Sequence, residues 1–176
     1  SSYELLSRYP TNDAPLLALL LTGTMPNTPR PMELGCRTSV PPYHYPHLRI
    51  ATDDVAPIVR ASWLRGVSAL PNSFAHDSFI DELAVQAGAD PLDYRLAHLP
   101  DARARELLQA VAERFSWHAR ATGSGGRADD EGWVRGCGLS YARYVHSNFP
   151  GFGAAFAAWA VELACHCATG RIVVKR

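Results

Sequence analysis

Positions 72–87 carry the stretch NSFAHDSFIDELAVQA, which decides the fold of the middle of the chain. Its apolar residues recur at the spacing of one helix face, so the stretch predicts an amphipathic helix. Gly88 follows it and is expected to end the helix, because glycine readily adopts the left-handed conformation of a helix C-terminus. The inward stripe places Phe79, Ile80 and Leu83 at the centre of the predicted core.

Two further helices are predicted after this stretch. Asp90 and Pro91 supply an N-cap and a first-turn proline for a short helix that ends near Leu96. Asp101 caps a third helix. The buried stripe of that helix contains Leu107, Leu108, Val111, Ala112 and Phe115. Its phenylalanine is expected to join the centre of the core, and residues 61–118 therefore form a region of about three helices.

The N-terminal residues 1–60 are rich in proline and show no helical periodicity. Proline breaks every candidate helix in this region, at Pro10, Pro15, Pro26, Pro29, Pro31, Pro41, Pro42 and Pro46. We expect an irregular, extended segment with turns and one short strand at residues 48–52.

The C-terminal part of the chain follows a linker. Residues 119–133 combine glycines with a charged cluster and predict a flexible, exposed connection. Its glycines lack the Walker lysine and the Rossmann spacing, so a phosphate-binding loop is not favoured. Beyond it, alanines at residues 154–160 favour a helix. The turn residues Thr169 and Gly170 and the β-branched residues at 172–174 favour strands instead, and local rules leave both alternatives open.

Composition excludes several functional classes. The 176 residues are 47% hydrophobic and 19% charged, which is sufficient for one domain with a core. With 17 basic and 17 acidic residues the net charge is zero, so no general field attracts nucleic acid or an anionic membrane. The densest N-terminal apolar run, residues 16–21, is too short to span a bilayer. Neither nucleic-acid binding nor membrane insertion is therefore expected.

The metal-ligating and nucleophilic residue types form no recognisable site. The four cysteines contain no C-x-x-C pair, and Cys165 and Cys167 lack the second pair that a zinc site requires. The seven histidines show no helical spacing typical of metal ligands. A small hydrolase is disfavoured because no G-x-S-x-G elbow is present. The expectation is that the chain carries no metal site and no catalytic residue of its own.

Two motifs resemble a known family. Residues 63–67 read WLRGV, and residues 72–84 read NSFAHDSFIDELA. They resemble a signature of the xanthine dehydrogenase and aldehyde oxidase superfamily, in which an R-G loop precedes a helix reading E-S-F-x-D-E-L-A. Residues 88–96, GADPLDYRL, continue the resemblance to the family's G-x-D-P-L-E-x-R-L.

Flanking segments point to one branch of this superfamily. Residues 40–43 (VPPY) and 45–49 (YPHLR) resemble the isoquinoline oxidoreductase and nicotinate dehydrogenase branch. Glu162 and residues 168–172 (ATGRI) resemble the family hairpin E-V-x-V-D-x-A-T-G-x-V. The resemblance therefore covers about residues 40–176, except the linker. It favours the strand alternative: a β-hairpin of about residues 155–166 with 171–175, paired with a strand near 138–144.

The resemblance implies a molybdopterin cofactor, in its cytosine dinucleotide form, and hydroxylation of an aldehyde or an N-heterocycle with oxygen from water. It assigns Arg65 and Gly66 to a cofactor-binding loop, where a backbone packed against the cofactor would need a residue without Cβ. It assigns Val67 to the substrate pocket, in place of an aromatic residue of xanthine dehydrogenases. The loss of that aromatic ring removes stacking and is expected to change substrate preference.

The resemblance also implies that much of the enzyme lies elsewhere. The family's catalytic glutamate belongs to a motif without a counterpart in these residues, and the family subunit is several times longer. We therefore expect an α+β fragment of a bacterial large subunit, cytoplasmic or periplasmic, with antiparallel strands over residues 134–176. Its partners would be the rest of the large subunit and a small iron–sulfur subunit. In isolation it is expected to bind no cofactor and to be inactive.

An alternative is a degenerate, non-catalytic relative that acts as a structural or protein-interaction module. Cys165 and His166 replace the valine and aspartate of the family hairpin and favour this alternative.

Overall fold

A computed structural model describes residues 2–10, 23, 34–55, 65–118, 126–145 and 153–176. Its class is mixed α+β, as predicted. In chain order the elements are β1 (Ser2–Pro10), a short 3-10 helix (Leu34–Cys36), β2 (His47–Val55), α1 (Ala69–Gln86), α2 (Pro91–His98), α3 (Ala102–Phe115), β3 (Trp133–Val145), β4 (Ala154–His166) and β5 (Ile172–Val174). Trp63 and Leu64 of the family motif and residues 119–125 of the predicted linker lie outside the described residues.

The chain divides into two compact units. One comprises Ser1–Pro41 with Tyr45–His76, and the other comprises Pro42–His44 with Asp77–Arg176. None of the helices in the described residues is long and apolar enough to cross a membrane.

The first unit contains a two-stranded parallel sheet. Strand β1 pairs with β2 from Ser2↔His47 to Pro10↔Val55. Glu4 and Arg49 lie directly opposite each other in this register, and their side chains form an ion pair at 2.9 Å. The short strand expected at residues 48–52 is confirmed within β2, but the expectation of an irregular segment before it is wrong for β1. Parallel pairing joins segments distant in sequence, so no local pattern revealed it.

Helix α1 begins at Ala69, three residues before the predicted start, because Pro71 is accommodated in the first turn. It ends as predicted before Gly88, whose φ of 63° is left-handed. The Ala89 N–H donates to the Ala84 carbonyl at 2.9 Å and closes the helix end.

The predicted caps of the next two helices are confirmed. The Asp90 carboxylate accepts from the Leu92 N–H at 2.8 Å at the start of α2. The Asp101 carboxylate accepts from the Ala104 N–H at 3.2 Å at the start of α3. The Trp117 indole also donates to Asp90, at 3.1 Å, and ties the chain beyond α3 to this cap.

The second unit contains an antiparallel sheet of order β3-β4-β5. Strands β3 and β4 pair over their full lengths, and β5 returns along β4 after a turn at Gly170, whose φ is 67°. The predicted hairpin and its pairing with a strand near residues 138–144 are confirmed. The alanine-rich segment pairs with β3 along its whole length, and the backbone hydrogen bonds and tertiary packing of this ladder outweigh its modest helix propensity.

One face of this sheet is buried and packs against α3. Leu139, Tyr141 and Ala164 point to it and are at most 5% exposed, and α3 lies against β4. Trp159 has the opposite side-chain direction and is 67% exposed.

The predicted core is correct only in part. Ile80 is fully buried, but Phe79, Leu83 and Phe115 are half-buried. The fully or nearly fully buried helix positions include Leu108 and Ala112, both in the stripe predicted for α3, and the small residues Ala84 and Ala104. Small side chains allow the helices to pack closely. The fully buried face of each helix is therefore narrower than the face that the spacing of apolar residues predicted.

The second unit contains a buried guanidinium that bonds to several of its elements. Arg95 of α2 is 0% exposed. Its Nη2 donates to the carbonyls of Asp77 and Leu139, each at 3.1 Å. It forms an ion pair with the Asp77 carboxylate at 3.4 Å and a second with Asp81.

The Asp77 carboxylate completes this network. It accepts from the Tyr43 hydroxyl at 2.7 Å and from the Tyr141 N–H at 3.2 Å. Burial disfavours the charge of Arg95, but the hydrogen bond with Asp81 and the charge of Asp77 outweigh it and raise the pKa of Arg95. Burial and the adjacent Asp77 likewise raise the pKa of Tyr43, which remains a neutral donor.

We expect Ile80→Ala to lower the free energy of unfolding by about 2–5 kcal/mol, because it leaves a cavity at a fully buried position. Leu83→Ala removes a side chain of the same volume from a half-buried position and should cost clearly less. Urea unfolding of both variants measures the difference. Equal losses would contradict the burial pattern described for α1.

We expect Arg95→Met to cost on the order of 3–5 kcal/mol, because it leaves the buried Asp77 carboxylate without its cation. Arg135→Met is the matched control, since Arg135 is exposed on β3. Thermal and urea unfolding of the two variants provide the measurement. A loss for Arg95→Met no larger than that of the control would show that the buried ion pair does not hold this unit together.

Candidate functional site

The sequence-predicted site residues lie in one tight turn before α1. Arg65 is exposed, whereas Gly66 and Val67 are half-buried. The φ of Gly66 is 87° and that of Val67 is 54°. The turn is closed by the Ala69 N–H, which donates to the Gly66 carbonyl at 2.9 Å. A left-handed φ suits glycine but strains a β-branched residue such as valine, so this turn stores strain.

Position 66 requires a glycine because of its backbone conformation, and not because neighbouring atoms leave no room for a side chain. A Cβ at this position would meet no atom of the described residues within 4 Å. The sequence-based reason for Gly66, a backbone packed closely against a neighbour, thus has no counterpart within the described part of the chain. Among these residues, the backbone N–H groups of Arg65, Gly66 and Val67 also donate no hydrogen bond. Within the part of the chain that the structure describes, the turn therefore presents an open backbone whose N–H donors are unused.

A loop at residues 35–39 supports the start of α1. Thr38 has a φ of 55°. Its hydroxyl donates to the Ala69 carbonyl at 3.0 Å and lies 3.2 Å from the Ser73 hydroxyl. Inside the loop, the Ser39 hydroxyl donates to the Cys36 carbonyl at 2.8 Å. Thr38 thus joins the loop to the helix, whereas Ser39 acts only within the loop.

Asn72 makes the second connection between α1 and this loop. Its side chain is 4% exposed, and its amide nitrogen donates to the carbonyls of Gly35 and Arg37, each at 2.9 Å. Its backbone N–H donates to the Ser68 carbonyl at 3.1 Å, inside the turn that carries the predicted site. The sequence showed only a polar residue in the first turn of a helix, and its loop partners are more than thirty positions away.

His76, one helical turn after Asn72, faces the same loop. It is 2% exposed and is hydrogen-bonded to the backbone of Thr38. Burial disfavours the charged imidazole, and the Thr38 contact offsets this only in part, so the pKa of His76 falls to about 4. It is therefore neutral at neutral pH. Among the described residues no cluster of three or more histidines, cysteines and carboxylates could hold a metal ion.

We expect acid to destabilise the chain through His76. Its pKa is 6.5 when exposed and about 4 when folded, so between these values the unfolded chain binds more protons. The free energy of unfolding should therefore be unaffected above the exposed pKa and fall as pH decreases through this window, by at most about 3 kcal/mol. Urea unfolding across the window measures this.

His76→Gln removes the titrating group, so the difference between it and the parent chain isolates the contribution of His76. His118→Gln, at an exposed position, is the matched control. Identical pH slopes for the parent chain and His76→Gln would contradict the buried neutral state.

Comparison with known proteins gives two relatives. The chain is 53% identical, over its whole length, to a nicotinate dehydrogenase subunit of Pseudomonas putida, of which it spans 15%. About half of the chain, 51%, is 32% identical to the isoquinoline 1-oxidoreductase beta chain of Brevundimonas diminuta, of which it spans 11%. No family model and no solved structure matches the chain.

Both relatives belong to the branch that residues 40–49 indicated, and the agreement with the first extends over every element of the fold. The resemblance predicted from the motifs is therefore confirmed: this chain is homologous to a segment of the large subunits of molybdenum hydroxylases of the nicotinate dehydrogenase and isoquinoline oxidoreductase branch.

Proposed function

We propose that the chain forms part of the cofactor pocket of a bacterial molybdenum hydroxylase that oxidises an N-heterocyclic substrate. The observation that carries this proposal is the open, left-handed turn at Arg65–Val67 in a chain 53% identical to a nicotinate dehydrogenase subunit. The name of that relative favours an N-heterocycle over an aldehyde. Val67, half-buried at the end of the turn, would border the substrate and leave room that an aromatic residue would fill.

The group proposed to lie against this turn is a molybdopterin, in its cytosine dinucleotide form. The backbone N–H groups of Arg65 and Gly66 are unused donors among the described residues, and pterin and phosphate oxygens are acceptors. The open space at Gly66 permits close approach to this backbone. When bound, the cofactor supplies the redox chemistry that transfers oxygen from water to the substrate. The chain's own contribution is to donate hydrogen bonds and to shape the pocket.

The isolated chain is proposed to bind no cofactor and to be inactive. It spans 15% of the length of the nicotinate dehydrogenase subunit, so the remaining pocket loops and the family's catalytic glutamate would come from other segments. A single turn offers too few donors to hold so large a cofactor, because binding must offset the loss of translational and rotational freedom.

The outer face of the antiparallel sheet supports the rest of the large subunit as a partner. The register gives this face a set of residues without any charge: Val134, Gly136, Gly138, Ser140, Ala142 and Tyr144 of β3, Ala155, Ala157, Trp159, Val161, Leu163 and Cys165 of β4, and Ile172 and Val174 of β5. A solvated face of an antiparallel sheet is normally polar. We propose that further protein covers it, and that a small iron–sulfur subunit completes the enzyme.

A degenerate, non-catalytic module remains the second candidate, favoured by His166. In place of the family's aspartate, this side chain packs edge-on against Trp133, at 5.1 Å between ring centroids, and lies 3.0 Å from the Thr169 hydroxyl. These contacts give His166 a structural role in the hairpin turn.

The test replaces the matched region of the Pseudomonas putida nicotinate dehydrogenase subunit with this chain and measures molybdenum content and nicotinate oxidation of the assembled enzyme. We expect molybdenum and turnover in this chimera, and no stoichiometric molybdenum in the isolated chain. Gly66→Ala in the chimera should lower turnover about tenfold, because alanine resists its left-handed φ.

Gly138→Ala is the matched control, since Gly138 has equally open space but no left-handed φ. A folded chimera without molybdenum would overturn the proposed enzyme and favour the non-catalytic module. Stoichiometric molybdenum in the isolated chain would overturn the proposed dependence on other segments.

A further inference from the structure

We propose that Thr38 and Asn72 are positioning residues that hold the Arg65–Val67 turn in its cofactor-facing conformation. This inference rests on the proposed function, and it assigns a role to a loop, residues 35–39, that no motif marked. These two side chains act through the start of α1 and are not expected to touch the cofactor.

The need for such residues follows from the strain at Val67. A β-branched residue at a φ of 54° relaxes to an ordinary conformation unless its surroundings prevent it. The two local hydrogen bonds, from Ala69 N–H to Gly66 and from Asn72 N–H to Ser68, would both persist or reform in an ordinary helix start. Restraint must therefore come from outside the turn.

The loop at residues 35–39 provides that restraint at two points. Thr38 binds the carbonyl of Ala69, the first residue of α1 and two positions beyond Val67. The Asn72 side-chain amide donates to the carbonyls of Gly35 and Arg37, and the Asn72 backbone N–H donates to the Ser68 carbonyl. Both side-chain connections are at least partly buried, so water cannot readily replace them.

The geometry also identifies substitutions that distinguish a loss of turn positioning from a general loss of folding stability. Asn72→Asp preserves shape but turns a donor into an acceptor that faces two carbonyls. Thr38→Val preserves the branched shape and removes the hydroxyl, whereas Thr38→Ser keeps it. Ser39→Ala removes a partly buried hydrogen bond of the same loop that does not reach α1. It is therefore the matched control for lost stability alone.

The first measurement uses the chimera with the nicotinate dehydrogenase subunit. We expect Asn72→Asp and Thr38→Val to lower kcat per bound molybdenum about tenfold or more, a loss that corresponds to roughly 1.4 kcal/mol of barrier. Thr38→Ser should restore kcat, and Ser39→Ala should leave it near the unmutated value despite a lowered melting temperature. Equal kcat for Thr38→Val and Ser39→Ala, or an equal loss in Thr38→Ser and Thr38→Val, would overturn the inference.

The second measurement does not depend on the proposed function. Backbone chemical shifts of Val67 in the isolated chain report its left-handed φ, and we expect Thr38→Val to shift them toward ordinary helical or extended values, with Thr38→Ser and Ser39→Ala unchanged. Unchanged Val67 shifts in Thr38→Val would overturn the positioning role. If the unmutated chimera holds no molybdenum while these shifts behave as expected, the proposed function fails and the positioning of the turn stands.

Discussion

The buried charge of Arg95 is the constraint on which the larger unit depends. A guanidinium removed from water is costly unless most of its N–H groups meet acceptors. Here the acceptors come from α1, from the first turn of α2 and from β3. Asp77, the more buried of its two ionic partners, accepts in turn from the Tyr43 hydroxyl and from the Tyr141 N–H. Helices and sheet are therefore aligned by one connected set of polar bonds as well as by apolar packing.

The smaller unit uses neutral groups for the same purpose. Asn72 and His76 are both buried on α1 and both bind the backbone of the loop at residues 35–39. Neutral hydrogen bonds cost less to desolvate than an ion pair, but a buried amide or imidazole still has to be satisfied in one geometry. Such groups fix the position of a backbone closely, which suits a loop that supports a strained turn.

The family motifs contain residues whose roles are visible only in the folded chain. The motif at residues 88–96 indicated the family, yet it gave no reason for the arginine within it. The structure supplies that reason, because this arginine joins three elements of one unit. Similarly, the helix motif at residues 72–84 contains Asn72, His76 and Asp77. Each of these buried residues is hydrogen-bonded to a distant segment of the chain. Much of the motif therefore stabilises the fold, in addition to any contact with a cofactor.

The sequence by itself determined the features that local chemistry controls. The caps at Asp90 and Asp101, the helix end at Gly88 and the turn at Gly170 each depend on neighbouring residues. Family motifs, rather than propensity, decided the C-terminal hairpin. Only the tertiary structure decided the pairing of β1, the partners of Arg95 and Asn72, and the partial exposure of Phe79, Leu83 and Phe115. These depend on which distant segments meet, and the free energy of burying a polar or apolar group is set by those neighbours and not by its position in a pattern.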